Sequence, residues 1–225
     1  MTLSRQFVTN SFNNERELID LKLAMYGFDI FLFEEVYKKA MEQYNFSTVF
    51  QEIFVPFLNF VGLFWHTDTV TIPHEHFITN LIYQKILLQI EKLEYPIIKS
   101  DKYTFILFLP EEEMHEIGLL YLNYELLLRG YKTIYLGRSV PIKDLSFLIA
   151  QFSMACFIST FTINPEKKKL AIYLADMIDL IQDTSCICWA ISRSFNDKTI
   201  KSSSDNIQFF SSPKEVLSKI ESHFV

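Results

Sequence analysis

The chain has 225 residues, 49% of them hydrophobic and 21% charged, with a formal net charge of −6. That composition excludes a disordered or fibrous chain. The densest basic cluster is Lys167-Lys168-Lys169. An acidic chain without a longer basic run is a poor nucleic-acid binder, because phosphate neutralisation supplies most non-specific affinity.

Residues 1–14 read as a linker or disordered segment, with no apolar stretch of the kind a secretory leader carries. Residues 15–94 carry apolar positions at helical period and predict a four-helix bundle. Leu18, Leu21, Ala24 and Met25 mark the inner face of the first helix. Asp29 is placed to cap the second, which turns Phe33, Val36, Tyr37, Ala40 and Met41 inward. Ser47 is placed to cap a third, with Phe50, Phe54, Phe57, Leu58 and Val61 inward and Trp65 at its end. Thr71, Ile72 and Pro73 open a fourth that runs towards Leu93. The apolar stretches are broken by Glu, Asn or Pro before the roughly 20 residues that a membrane span needs. The expectation is a cytoplasmic protein with no membrane partner.

The pattern changes near Tyr95-Pro96. Residues 102–225 alternate short apolar runs with amphipathic stretches. Strands are expected at Tyr103–Leu109, Thr133–Leu136, Ala155–Ser159, Cys186–Ile191 and Ile207–Phe210. Helices are expected at Met114–Leu128, Ile142–Phe152, Pro165–Ile181 and Pro213–His223. Strands apolar throughout imply a parallel sheet covered on both faces, so the fold class is a helical bundle followed by a Rossmann-like α/β domain with five parallel strands. Ligands of such sheets bind beyond the carboxyl ends of the strands. Cys156, Cys186 and Cys188 sit in apolar surroundings and read as buried thiols. Cys186-x-Cys188 lacks a His or Cys partner nearby and does not read as a metal clip.

Four of the five histidines (His66, His74, His76 and His115) fall between positions 66 and 115. His115 follows the first strand, in Glu113-Met114-His115-Glu116-Ile117-Gly118. A metal-ligating His is usually oriented by a carboxylate on its other ring nitrogen, and Glu113 is spaced to provide one. Gly118 leaves the backbone open to a bulky ligand. The three acids before His115 argue against a phosphate cradle. No nucleophile elbow or oxyanion-type glycine pair is present, and no enzymatic activity is expected.

Trp65, followed after nine residues by Glu75-His76, together with the Glu-x-His-x-x-Gly box at 113–118, resembles the light-responsive, cobalamin-dependent regulators of the MerR type (CarH-like). The resemblance covers about residues 15–225 and includes Phe108-Leu109-Pro110-Glu111 and Ile134-Tyr135-Leu136-Gly137-Arg138-Ser139-Val140-Pro141. It implies cobalamin as cofactor, in the adenosyl form. It implies that His115 ligates cobalt from below in place of the cofactor's own benzimidazole, whose tail enters the α/β domain. The bundle then caps the upper face, with Trp65 against the adenosyl group and Glu75 and His76 near it. After light removes that group, His66 becomes the upper cobalt ligand. Ser159 and Phe161 stand where the family carries Ser-x-Leu, with Phe bulkier than Leu. Trp189-Ala190-Ile191-Ser192 stands where the family carries Gly-Gly beside the tail, and side chains of this size narrow the channel. The family's amino-terminal DNA-binding domain has no counterpart in residues 1–14. The expected partners are therefore cobalamin and either a second copy or a DNA-binding partner. Two alternatives are a degenerate, cofactor-free protein-interaction domain and a corrinoid methyl carrier of a methyltransferase system.

Overall fold

A computed structural model of the chain describes residues 4–65, 69–93, 100–162, 167–196 and 206–223. The chain divides into two compact units, Met1–Gln89 and Ile90–Val225.

The first unit is helical: α1 (Ser4–Gly27), α2 (Ile30–Gln43), α3 (Phe46–Val49), a π-helical turn (Phe50–Phe54), α4 (Val55–Trp65) and α5 (Ile72–Glu91). Because α3, the π turn and α4 run on as one rod, the unit is a four-helix bundle. Leu21, Ala24 and Met25, Phe33 and Val36, Ile53 and Phe57, and Ile78 and Ile82 form its core, all buried. Aromatic stacking continues the pattern, with Phe54 against Phe33 and Tyr37 at ring separations of 6.1 and 6.2 Å.

Several boundaries differ from expectation. Residues 4–14, expected as linker or disordered, lie within α1. Asn10, Asn13 and Asn14 are weak helix formers, but once the packed turns at Leu21–Met25 nucleate the helix, each added residue extends it without a second nucleus. Asp29 caps α2 as expected, accepting from the Leu32 N–H at 3.0 Å. The third helix is capped by Asn45 rather than Ser47, through the Thr48 N–H at 2.9 Å. The π turn closes with the Val55 N–H on the Phe50 carbonyl, directly before Pro56, which has no N–H to give the ladder. By length and composition Phe46–Phe64 is apolar enough to cross a membrane, against the expectation of no such run. Its residues Phe46, Val49, Phe50, Ile53, Phe54 and Phe57 are buried inside the unit, as in a core helix.

The second unit is an α/β domain: β1 (Ser100–Phe108), α6 (Ile117–Leu128), β2 (Tyr131–Gly137), a 3-10 turn leading to α7 (Ser146–Gln151), β3 (Ala155–Thr160), α8 (Lys167–Ile181), β4 (Ile187–Ile191), a second 3-10 turn, β5 (Ile207–Phe210) and α9 (Pro213–His223). All four strand pairings are parallel, in the order β2-β1-β3-β4-β5. Residues pointing to one face of the sheet (Phe105, Leu107, Cys156, Ile158, Trp189) pack with Leu119 and Leu122 of α6 and Val216 and Ile220 of α9. Those on the other face (Ile106, Phe108, Phe157, Cys188) pack with Leu145 and with Tyr173, Met177 and Ile181 of α8. Two buried faces explain why the strands read as unbroken apolar runs.

The chain leaves β1 for β2 on one side and then returns to β3 on the other. The strand order therefore reverses between β1 and β3, where Phe108 pairs with Ser159 at the carboxyl ends. Helix α6 starts at Ile117, not Met114, so the whole acidic segment before it is loop.

Candidate functional site

The loop from Leu109 to Glu116 lies at the switch point, and Glu113 organises it. Pro110–Glu113 is a tight turn closed by the Glu113 N–H on the Pro110 carbonyl at 3.1 Å, with Glu112 at φ 68° in the position glycine usually takes. The Glu113 carboxylate is 9% exposed. Its Oε1 accepts from the backbone N–H of Met114 and of His115, each at 2.9 Å, and lies 2.7 Å from His115 Nδ1. Its Oε2 accepts from the Thr162 N–H at 2.9 Å, just beyond β3. One buried carboxylate thus ties together the loops on both sides of the switch point. Burial pushes the carboxyl pKa up, but the bonds from His115 and Thr162 outweigh it and hold Glu113 below the usual carboxylate range.

With Nδ1 donating to Glu113, the lone pair of a neutral His115 ring resides on Nε2. The His115 side chain is 46% exposed. Two further links fix the loop. Glu116, nearly buried, pairs with Arg138 beyond β2 at 3.1 Å, and Glu112 pairs with Lys169 of α8 at 2.6 Å. The Lys169 ammonium lowers the pKa of the exposed Glu112, first by its hydrogen bond and then by its charge. Gly118 lies in the first turn of α6, and a Cβ there would meet nothing within 4 Å among the described residues outside its own turn of helix. Thr160, at the end of β3, is 7% exposed, and its Oγ1 has no hydrogen-bond partner among the described residues. Among the described residues no three His, Cys, Asp or Glu side chains converge to hold a bare metal ion.

Ser159 and Phe161 are differently placed. Ser159 is fully buried, with its hydroxyl 2.6 Å from that of Tyr173 on α8. Phe161 is buried edge-on to the Tyr173 ring at 5.0 Å.

In the helical unit, Trp65 ends α4, Glu75 closes the first turn of α5 and His76 follows it, Glu75 half-buried and His76 exposed. His66 lies outside the described residues. His74, within the nine-residue spacer, is structural: its Nδ1 is 2.9 Å from Thr71 Oγ1 at the start of α5, and its ring stacks on Phe28 at 4.9 Å.

The spacing Glu113-x-His115 was enough to find the oriented imidazole. Thr162, Arg138 and Lys169 were missed as partners, since they come from loops and a helix distant in sequence. The only local signal was the unusual density of acids at 111–113.

Residues 19–88, the helical unit, match the family described as B12 binding domain. The chain is 30% identical over 96 residues to the HTH-type transcriptional repressor CarH of Myxococcus xanthus. That match takes in 43% of this chain and 31% of the repressor, so this chain spans about a third of that relative's length. Among solved structures, the monomethylamine corrinoid protein of Methanosarcina barkeri superposes with a TM-score of 0.74 over 94% of this chain and 100% of its own, at 15% identity. This last likeness is one of fold.

Proposed function

We propose that the chain is a cobalamin-class sensory domain of a transcriptional regulator that holds cobalt through His115 Nε2. The observation that carries this reading is the Glu113–His115 pair. A buried carboxylate fixes the ring by Nδ1 at the switch point of a parallel sheet, the arrangement that orients a metal-ligating imidazole. A single imidazole suits an ion whose equatorial positions are already filled by a macrocycle. Gly118 leaves room at the start of α6, and the Thr160 hydroxyl, without a partner among the described residues, offers a hydrogen bond at the same edge of the sheet. The B12-domain match of residues 19–88 supports cobalamin binding, and the 30% identity over 96 residues to a repressor supports a regulator.

On the cobalt side, then, the residues fit the group. His115 would ligate, Glu113 would hold the ring and its proton, and Glu116–Arg138 would keep the loop in place. The corrin supplies a cobalt ion whose upper bond to carbon is light-sensitive. In the finer reading the upper group is adenosyl, and the Trp65-x9-Glu75-His76 element, with His66, selects it and answers its loss. The role is binding and sensing rather than catalysis, in the cytoplasm, with output through self-association or a DNA-binding partner.

The test is an absorbance spectrum after incubation in the dark with adenosylcobalamin or adenosylcobinamide, repeated after illumination. A His-ligated cobalt spectrum that changes with light is expected, and it is lost in His115→Ala. An unchanged His-ligated spectrum in that variant would refute the assignment.

A second reading, a corrinoid methyl carrier, draws on layout. The likeness in fold to the Methanosarcina barkeri corrinoid protein takes in 94% of this chain and the whole of that one. Preference for a methyl over an adenosyl upper group, with no light response, would favour it. Failure to bind any corrinoid would leave the cofactor-free interaction domain.

A further inference from the structure

We infer that the His115 site takes a corrinoid without a lower nucleotide base, because the chain's own aromatic side chains fill the space beside β3 and β4 that such a base would need. The inference rests on the reading of His115 as a cobalt ligand and adds the class of corrinoid.

A base displaced from cobalt by His115 must go somewhere. The resemblance places it within the α/β domain, beside the Ser of the third strand and past the end of the fourth. In this chain that space is closed at each point. The Ser159 hydroxyl is already bonded to the Tyr173 hydroxyl, and the latter also lies 3.6 Å from Cys188 Sγ on β4. The Tyr173 ring is buried and is held edge-on by Phe161 at 5.0 Å. Phe161 in turn packs edge-on to Phe195 at 6.0 Å, and Phe195 to Phe209 at 5.2 Å.

The backbone closes the same edge. The Phe161 N–H donates to the Ile191 carbonyl at 2.8 Å, and the Ser192 N–H to the Phe210 carbonyl at 3.0 Å. Where a glycine pair would let a chain pass, Ala190 is fully buried and paired with Ser159 across the strands. A close-packed interior does not stretch to admit a bicyclic base. Entry would require Tyr173 to leave its rotamer and Ser159 to lose its partner. The face that presents His115 and Gly118 is not part of this cluster, so cobalt ligation and the filled cavity coexist. A corrin ending in a short amide or alcohol arm, with no base to house, meets both conditions.

The experiment is spectral titration of the full chain with aquocobinamide, which has no base, and with hydroxocobalamin. Cobinamide is expected to bind through His115 at least tenfold tighter. Phe161→Leu combined with Tyr173→Leu, which opens the cavity, should improve hydroxocobalamin binding at least fivefold and leave cobinamide within twofold. Tyr173→Phe, which keeps the ring, should leave the preference as it was. Equal affinity of the unaltered chain for both corrinoids, with the base of hydroxocobalamin released from cobalt, would overturn the inference while leaving His115 as ligand. This comparison needs no variant to fold. A cavity-opening variant that folds but shows no gain for hydroxocobalamin would also overturn it. Binding of neither corrinoid would overturn the functional reading itself, and this inference with it.

Discussion

Replacing Glu113 by Gln tests the latch at the switch point directly. The carboxylate accepts four N–H bonds, three on Oε1 and one on Oε2. An amide of the same shape has only one acceptor atom. Its better orientation keeps the three bonds on the oxygen and turns the NH2 towards the Thr162 N–H, so that two donors meet. An unmet buried donor costs about 1–3 kcal/mol, and the three remaining bonds lose their charge assistance. Thr162 is exposed, so water recovers part of the loss. The net expectation is about 2 kcal/mol. With a urea dependence of about 1–3 kcal/mol per molar, the unfolding midpoint falls by roughly 1 M. The chain has two tryptophans, and Trp189 is buried in β4, so Trp65→Phe leaves a single fluorophore reporting on the α/β unit. Urea unfolding of Trp65→Phe with and without Glu113→Gln gives the difference. A midpoint shift under about 0.3 M, the size of an ordinary surface substitution, would refute the latch. In the same variant, cobalt-corrinoid affinity should drop by roughly 10–100-fold, because the imidazole loses the group that orients it.

Two further outcomes follow from burial and from charge. Burial pushes Cys188 up to about 12, despite the opposing hydrogen bond from Tyr173, and raises Cys156 well above the ordinary thiol value. Since the thiolate is the nucleophile, the folded protein should leave its three buried thiols unreacted with Ellman's reagent at pH 8 and release all three on unfolding; rapid reaction of the native chain would refute this. Glu215 caps the start of α9, accepting from Ser211 Oγ and from the Ser211 N–H at 2.7 Å, and these bonds lower its pKa from 4.5. Its contribution is therefore present in full above the unfolded-state value and is lost as pH falls through the lower folded value. Glu215 is exposed, so Glu215→Gln should cost no more than about 0.5 kcal/mol at pH 7, and the difference in thermal midpoint should vanish once the pH lies below the folded-state value. A gap that persists in acid would mean the charge plays no part.

The strands were legible because both faces of the sheet are covered, so Tyr103–Leu109 and Ala155–Ser159 read as continuous apolar runs close to their observed bounds. The start of α6 was not legible. Met114 and His115 look helical by pattern, but Glu113 accepts their N–H groups and holds them in the loop. The Asn45 cap was hidden by Ser47 two residues later, an equally good capping type. Within the site, Glu113 and His115 were readable because their pairing is local. The Tyr173 plug was not, since its position on α8 reads simply as one more core residue, and only the folded chain brings its hydroxyl to Ser159.

The π turn in the third rod of the bundle sets a limit on what the gene can lose. It amounts to one residue more than an α-helix needs between Phe50 and Val55. Removing an exposed residue inside it, Gln51, would restore α geometry and rotate everything from Val55 to Trp65 by about 100° around the rod axis. Phe57 and Val61, now fully or nearly buried, would swing off the core, and the end of the rod that carries Trp65 would face another way. Position 51, though exposed, therefore tolerates exchange of its side chain far better than deletion.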